Sequence, residues 1–170
     1  ILSRRTLLAS AAAALALPRA ALAAPAVLRA GPVTAQILPA GDGATRMLGL
    51  NGTTPGPELR VPQGGRLEIG FENGIGTESA LHWHGIRIEN AMDGVPGLTQ
   101  EPVPDGGRFD YAFTAPDAGT FWYHSHARSW EQVEQGLYGA LIVDEPDPPR
   151  VDHDVTVLID DWRLDRDGTL

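Results

Sequence analysis

The 170-residue chain contains no cysteine, and it has only 13 basic residues against 22 acidic ones. Without cysteine it can build neither a disulfide framework nor a thiolate metal site. Its formal net charge of −9 at pH 7 and the lack of any basic cluster predict no nucleic-acid partner. Long apolar runs are also lacking, because the run Leu7–Leu17 is too short to span a bilayer and is followed by Pro18.

The first 23 residues have the features of an export signal. Tandem arginines, Arg4 and Arg5, precede the apolar run, and Ala21-Leu22-Ala23 supplies a small-residue cleavage motif. Paired arginines in this position resemble a twin-arginine signal, and an ordinary secretory signal is the alternative. We therefore expect residues 1–23 to be removed during bacterial export, which leaves a periplasmic or secreted protein without a membrane anchor.

Most of the chain after residue 30 has the alternating pattern of β-strands. In residues 66–73 apolar side chains alternate with polar or small ones, as in a half-buried strand. Residues 107–116, 119–126 and 137–145 are further runs rich in aromatic and branched side chains. Turns rich in glycine, proline and asparagine separate these runs, and the helical candidate is the short Ser129–Gln135 segment. This pattern predicts an all-β sandwich or barrel.

A domain boundary is predicted near the C-terminal end of the chain. Residues 144–150, DEPDPPR, form a charged, proline-rich linker. Residues 154–162, DVTVLIDDW, then have the composition of a strand, but nothing near them could pair with it. We therefore expect one domain at residues 31–146. Residues 147–170 would be a linker and the start of a truncated second domain, so that the sequence is a fragment of a longer protein.

Four of the five histidines lie in two His-X-His pairs. On a strand, residues i and i+2 point to the same face, with Cα atoms about 6.6 Å apart, so each pair presents two imidazoles side by side. Such pairs suit zinc, copper, nickel or iron. If the two strands are neighbours, all four imidazoles converge. The predicted metal ligands are His82, His84, His124 and His126.

The residues leave two arrangements of metal open. Four imidazoles on one ion would fill a tetrahedral shell and leave no position for chemistry. Alternatively, two or more ions could each be bound in part here and completed by ligands from elsewhere.

The order of the motifs resembles the N-terminal cupredoxin domain of multicopper oxidases, the laccase family. The segments that carry this resemblance are NGTTPGPELRVPQGGRLEI, LHWHG, MDGVPGLTQEPVPDGG, GTFWYHSH and QGLYGALIV, and together they extend over about Val33 to Val143. VTVLIDDW resembles the opening strand of the family's second domain. The resemblance implies an antiparallel, cupredoxin-like Greek-key β-sandwich, followed at the C-terminus by the first strand of a second cupredoxin domain.

The resemblance also implies a copper-dependent oxidoreductase. Members of the family couple one-electron oxidations of a small reducing substrate, such as a phenol or a metal ion, to the four-electron reduction of dioxygen to water. The reduction takes place at a trinuclear copper cluster between the first and last cupredoxin domains. By motif position, His82 would bind the type 2 copper, His84 and His124 would share one type 3 copper, and His126 would bind the other.

Asp93, in the MDG turn, matches an acidic residue that the family uses near the cluster to orient water and pass protons. An Asp-Gly turn former is the alternative interpretation of this residue. The family's type 1 copper, where electrons enter, is held by a cysteine and two histidines of the final domain. This chain has no such residues. It would therefore supply half of the cluster, depend on the remaining cupredoxin domains of the same chain, and be inactive by itself.

Two alternatives are kept. The spacing of His82, His84 and Glu89 nearly reproduces the first motif of cupins, which bind one metal ion. A cupin's second motif has a single histidine, however, so that His126 would be left without a role. The other alternative is a non-catalytic cupredoxin scaffold for protein interaction. Metal content distinguishes these alternatives: one ion for a cupin, none for a scaffold and several coppers for a complete oxidase.

Overall fold

The computed structural model describes residues 26–170, and the predicted export signal lies outside them. Within these residues, eight strands, one 3-10 helix and one short α-helix are formed. The strands are β1 Ala26–Ala35, β2 Thr45–Leu50, β3 Leu59–Pro62, β4 Arg66–Asn73, β5 Leu81–His84, β6 Arg108–Thr114, β7 Gly119–Ser125 and β8 Tyr138–Asp144. The 3-10 helix is Asn90–Met92 and the α-helix, α1, is Ser129–Gln132. Neither helix is long and apolar enough to cross a membrane.

The strands form two four-stranded sheets, in the orders β2-β1-β4-β6 and β3-β8-β7-β5. The predicted all-β sandwich is thus confirmed. The antiparallel pairing expected of this sandwich is wrong for two pairs of strands, because β1 pairs with β4 and β3 with β8 in parallel. Parallel strands cannot be joined by a tight hairpin and need a longer crossover connection. β1 also begins at Ala26, five residues before the predicted domain boundary, and it lies between β2 and β4.

The core lies between the two sheets and is dominated by aromatic side chains. The largest fully buried ones are Phe71, Trp83, Tyr111, Phe113 and Tyr123. The Trp83 ring centroid lies 5.0 Å from that of Phe113 and 5.4 Å from that of Tyr111. Burial of such side chains stabilises the fold by about 1.5–3 kcal/mol each. Because Trp83 and Tyr123 point inward, strand alternation turns their neighbours on β5 and β7 outward.

The residues after β8 differ from the sequence expectation. Residues 154–162 form no strand, and Val155 and Ile159 are 75% and 93% exposed. A strand needs a partner for its backbone hydrogen bonds, and no strand of the described residues pairs with this segment. Arg60 binds the carboxylates of Asp144 at 2.7 Å and Asp154 at 3.0 Å, which ties the segment to the end of β8. The assignment of residues 147–170 to a second domain stays a prediction.

Candidate metal centre

The two His-X-His pairs lie on neighbouring antiparallel strands at one edge of the second sheet. β5 pairs with β7 in a register that places His82 opposite His124 and His84 opposite Trp122. The alternation is enforced by the core, because the intervening Trp83 is fully buried. His82, His84 and His124 therefore share the outer face of the sheet.

The four imidazole rings converge. The centroid of His82 lies 5.6 Å from His84, 5.3 Å from His124 and 5.1 Å from His126. His126 follows the last residue of β7, and its backbone N–H donates to the carbonyl of Ala80 at 3.0 Å. The site thus has three ligand candidates on the sheet and one immediately beyond its end.

Ligand nitrogens of His82, His84 and His124 all lie within 4.8 Å of one another. His84 Nδ1 and His124 Nε2 lie 3.3 Å apart. Two ligands of one tetrahedral ion are separated by about 3.3 Å when each lies about 2.0 Å from the metal. The separation of this pair therefore matches that of two ligands on one ion. His126 is outside this three-residue group, although its ring centroid lies 5.1 Å from that of His82.

Backbone carbonyls fix which ring nitrogen is free on two of these residues. His82 Nδ1 lies 2.7 Å from the carbonyl oxygen of Asp93, and His124 Nδ1 lies 2.8 Å from that of Ser125. A carbonyl can only accept, so both Nδ1 atoms carry the proton and donate. Their Nε2 atoms are then unprotonated and available to a metal. His84 differs, because it turns its Nδ1 toward His124.

The environment keeps His124 neutral. The residue is 7% exposed, and burial, with a smaller effect of the neighbouring imidazoles, lowers its pKa to about 4. The imidazole is therefore uncharged at neutral pH, with Nε2 unprotonated, as a metal ligand must be. Trp122 stacks on the same ring, with centroids 4.1 Å apart and planes 29° apart, and its centroid lies 5.0 Å from that of His84. This contact restricts rotation of the His124 ring.

Asp93 lies beside the histidines, and the turn that follows explains why. Its carboxylate Oδ1 is 3.4 Å from His82 Nδ1, farther than its own carbonyl oxygen. Gly94 has a φ of +79°, and a side chain there would collide with the carbonyl of Leu81. The Asp-Gly turn therefore packs directly against β5. The two interpretations of Asp93 are compatible, because turn formation is what carries the carboxylate to His82.

Glu89 does not complete a cupin-like site. Its side chain is exposed, and it precedes the 3-10 helix. In the described part of the chain, it does not join His82 and His84 in a group of converging ligand atoms. The spacing that suggested a cupin is therefore not accompanied by the required geometry. His153 is likewise exposed in the segment after the linker.

Three polar residues near the histidines were not predicted from the sequence. Ser79, Ser125 and Gln132 are buried and hydrogen-bonded to one another. Ser125 could have been found, since it is a polar residue at an inward-facing position of β7. Gln132 could not, because nothing in a short helical segment indicates which side chain is buried.

A two-sheet β-sandwich with two His-X-His pairs on adjacent strands defines a metal-binding protein of the cupredoxin type. Residues 33–148 match the sequence profile of the family described as multicopper oxidase. The chain belongs to the multicopper oxidase family.

Individual relatives agree with this assignment. Copper resistance protein A of Pseudomonas syringae pv. tomato is 39% identical over 68% of this chain and 19% of its own length. Multicopper oxidase MmcO of Mycobacterium tuberculosis is 39% identical over 65% of this chain and 21% of its own length. The chain thus spans about a fifth of the length of these curated relatives.

Solved structures show the same fold. The crystal structure of Lac15 from a marine microbial metagenome is 65% identical, with a TM-score of 0.83, covering 86% of this chain and 39% of that one. A multi-copper oxidase from Pseudomonas Thermotolerans is 41% identical, with a TM-score of 0.80, covering 84% of this chain and 34% of that one.

Proposed function

We propose that this chain supplies half of the trinuclear copper cluster of a multicopper oxidase. The complete protein would couple one-electron oxidations of a small reducing substrate to the four-electron reduction of dioxygen to water. The observation that carries the proposal is the convergence of four imidazoles, with His84 Nδ1 and His124 Nε2 only 3.3 Å apart. Family membership makes copper the expected metal.

The ligand assignments follow the family pattern, and the 3.3 Å separation of His84 Nδ1 and His124 Nε2 supports one of them. His84 and His124 would share one type 3 copper, as their facing nitrogens suggest. By motif position, His82 would bind the type 2 copper, and His126 would bind the other type 3 copper. When bound, copper would supply the one-electron redox chemistry and the binding of dioxygen.

The protein groups around the histidines would have distinct tasks. The carbonyls of Asp93 and Ser125 hold the imidazoles of His82 and His124 in the tautomers that leave Nε2 free. Trp122 would exclude water from one side of the His84–His124 pair. The carboxylate of Asp93, 31% exposed and next to His82, would hold a proton at its oxygen and pass it to the site through water.

The rest of the proposal concerns parts outside this chain. Electrons would enter at a type 1 copper held by a cysteine and two histidines of a C-terminal cupredoxin domain. The reducing substrate would be a phenol or a metal ion that binds near that copper. Export through the twin-arginine route would place the enzyme in the periplasm or outside the cell.

The test measures copper content and dioxygen consumption in the full-length protein and in two histidine variants of it. His126→Ala should lower the copper bound per protein and reduce dioxygen consumption by at least about 10²-fold, because removing one ligand disrupts the cluster. His153→Ala is the matched control, since His153 is an exposed histidine away from the site, and it should behave like the wild type.

Three outcomes would contradict the proposal. One metal ion per protein without coupled copper would favour a cupin-like site, and no metal at all would favour a scaffold protein. Equal effects of the His126 and His153 variants would show that His126 is not a ligand.

A further inference from the structure

A buried polar cluster lies on the inner side of the histidine site. It consists of Ser79, Ser125 and Gln132, and we call it the serine–glutamine cluster. Ser79 and Ser125 are fully buried and Gln132 is 2% exposed. Burying a polar side chain costs free energy unless it is hydrogen-bonded, so the hydrogen-bond partners of these three side chains decide what the cluster does.

The hydrogen bonds of the cluster fix the orientation of the amide. Gln132 Nε2 donates to the carbonyl of Glu78 at 2.9 Å. Because a carbonyl can only accept, the nitrogen must lie on this side of the amide. The oxygen, Oε1, then accepts from Ser79 Oγ at 2.9 Å and Ser125 Oγ at 2.5 Å. An amide donates on one side and accepts two hydroxyls on the other without any change of protonation.

The cluster connects the two histidine pairs where the sheet ends. Ser125 separates His124 from His126, and the β5–β7 ladder stops at the Leu81–Ser125 pair. Glu78 and Ser79 lead into β5, which carries the other two histidines. Beyond the ladder, His126 is held by its N–H bond to Ala80. The amide of Gln132 is therefore a side-chain link between the segments that present the two pairs.

We propose that Gln132 is a positioning residue for the copper site. It does not contact the metal; it sets the spacing between the β5 pair, which includes His82, and the β7 pair. This inference rests on the proposed function, since it assumes that the four histidines bind copper. Supporting residues behind the ligands of a metal typically change affinity about 10–100-fold when they are removed.

The experiment uses Gln132→Met and Gln132→Glu in the full-length, copper-loaded protein. Methionine keeps the size of the side chain but cannot accept the two hydroxyls. Glutamate keeps the shape but cannot donate to the Glu78 carbonyl unless it is protonated. We expect both variants to bind copper at the cluster at least about 10-fold more weakly. We also expect a changed electron paramagnetic resonance spectrum of the type 2 copper.

Val61→Ala is the control for general destabilisation. Val61 is buried on β3, at the edge of the same sheet opposite β5. The Tm of the Val61→Ala variant should fall, while its copper affinity and its electron paramagnetic resonance spectrum should stay those of the wild type. Gln132 would be merely structural if its variants, compared with this control, showed lowered Tm but wild-type copper affinity and spectrum.

Ser79→Ala keeps the inference testable if the Gln132 variants do not fold. It removes one of the two hydroxyls that Oε1 accepts and should shift copper affinity in the same direction by a smaller factor. An unchanged affinity in Ser79→Ala would then overturn the inference. The proposed function fails separately, because it fails if the wild-type protein itself binds no copper cluster.

Discussion

At the scale of single residues, the imidazoles of His82 and His124 are oriented by main-chain carbonyls and not by carboxylates. Each donates Nδ1–H to a carbonyl oxygen, at 2.7 Å and 2.8 Å respectively. Main-chain atoms cannot be removed by substitution, so these two tautomers should survive changes to neighbouring side chains. The carboxylate of Asp93 is consequently free for a different task, although it lies only 3.4 Å from His82.

Asp93→Asn tests this separation of roles. The carbonyl that holds His82 is retained, so copper loading and reduction of the type 1 copper should stay nearly unchanged in the full-length enzyme. Dioxygen reduction should slow about 10²-fold, the usual scale for losing a proton-transfer group. Copper analysis and stopped-flow reoxidation of the reduced enzyme measure the two quantities.

Asp105→Asn is the matched control for this substitution. Asp105 also precedes a glycine in a turn, and its carboxylate accepts the N–H of Gly76 at 2.9 Å. Reoxidation should be normal in this variant. If Asp93→Asn instead loses copper and keeps a normal rate per copper bound, Asp93 is a turn residue and the relay role is wrong.

At the scale of elements, β7 is the strand that holds the site together. It lies between β8 and β5, and its inward-facing Tyr123 packs over Gly139 of β8. The Tyr123 hydroxyl donates to the carbonyl of Pro57 at 2.6 Å. A side chain at residue 139 would overlap the phenol ring of Tyr123. The position of His124, the next residue on β7, therefore depends on a glycine in the adjacent strand.

Gly139→Ala should destabilise the protein by about 1–3 kcal/mol, the usual cost of overpacking a core. The ring of Tyr123 must move, and its hydrogen bond to Pro57 must weaken. Urea unfolding measures the change in the free energy of unfolding.

Gly31→Ala provides the comparison. A side chain at residue 31 would have only one atom within ordinary contact distance, the Gly74 carbonyl oxygen at 4.0 Å. Its free energy of unfolding should change by less than about 0.5 kcal/mol, as is usual for such sites. Equal destabilisation by the two alanines would mean that the Tyr123 contact is not the cause.

At the scale of the whole molecule, the histidines face outward at one edge of a sandwich whose core is complete without them. The four rings are held by strands, a turn and carbonyls of this chain. These 170 residues contain no cysteine and therefore cannot supply the thiolate ligand of a type 1 copper, through which electrons would enter. Metal binding and turnover are thus expected to depend on different portions of the complete protein.

Residues 24–170 produced alone should therefore not oxidise phenols, even after copper loading. A dye-oxidation assay tests this directly, with copper content measured on the same sample. The full-length protein under identical conditions is the positive control. Turnover by residues 24–170 would show that electrons reach dioxygen without a cysteine-ligated copper. This result would contradict the proposal that electrons enter at a type 1 copper outside this chain.

The sequence by itself determined the fold class and the positions of about half of the strands, and it predicted candidate residues for the site. Alternation of apolar and polar residues is a local property, so it revealed β4, β6, β7 and β8 directly. Two His-X-His pairs in a chain with five histidines indicated metal binding, because residues two apart on a strand must share a face. The motif order indicated the family before any distance was known.

Only the tertiary structure decided how these parts meet. The parallel pairing of β1 with β4 and of β3 with β8 depends on contacts between distant segments. The same is true of the 3.3 Å separation of His84 and His124, the exclusion of Glu89 and the burial of Gln132. The predicted strand at residues 154–162 failed for the same reason, since a strand is completed by a partner. The local pattern of apolar and polar residues indicates which secondary structure a segment can form, whereas packing between segments decides which neighbours that segment has.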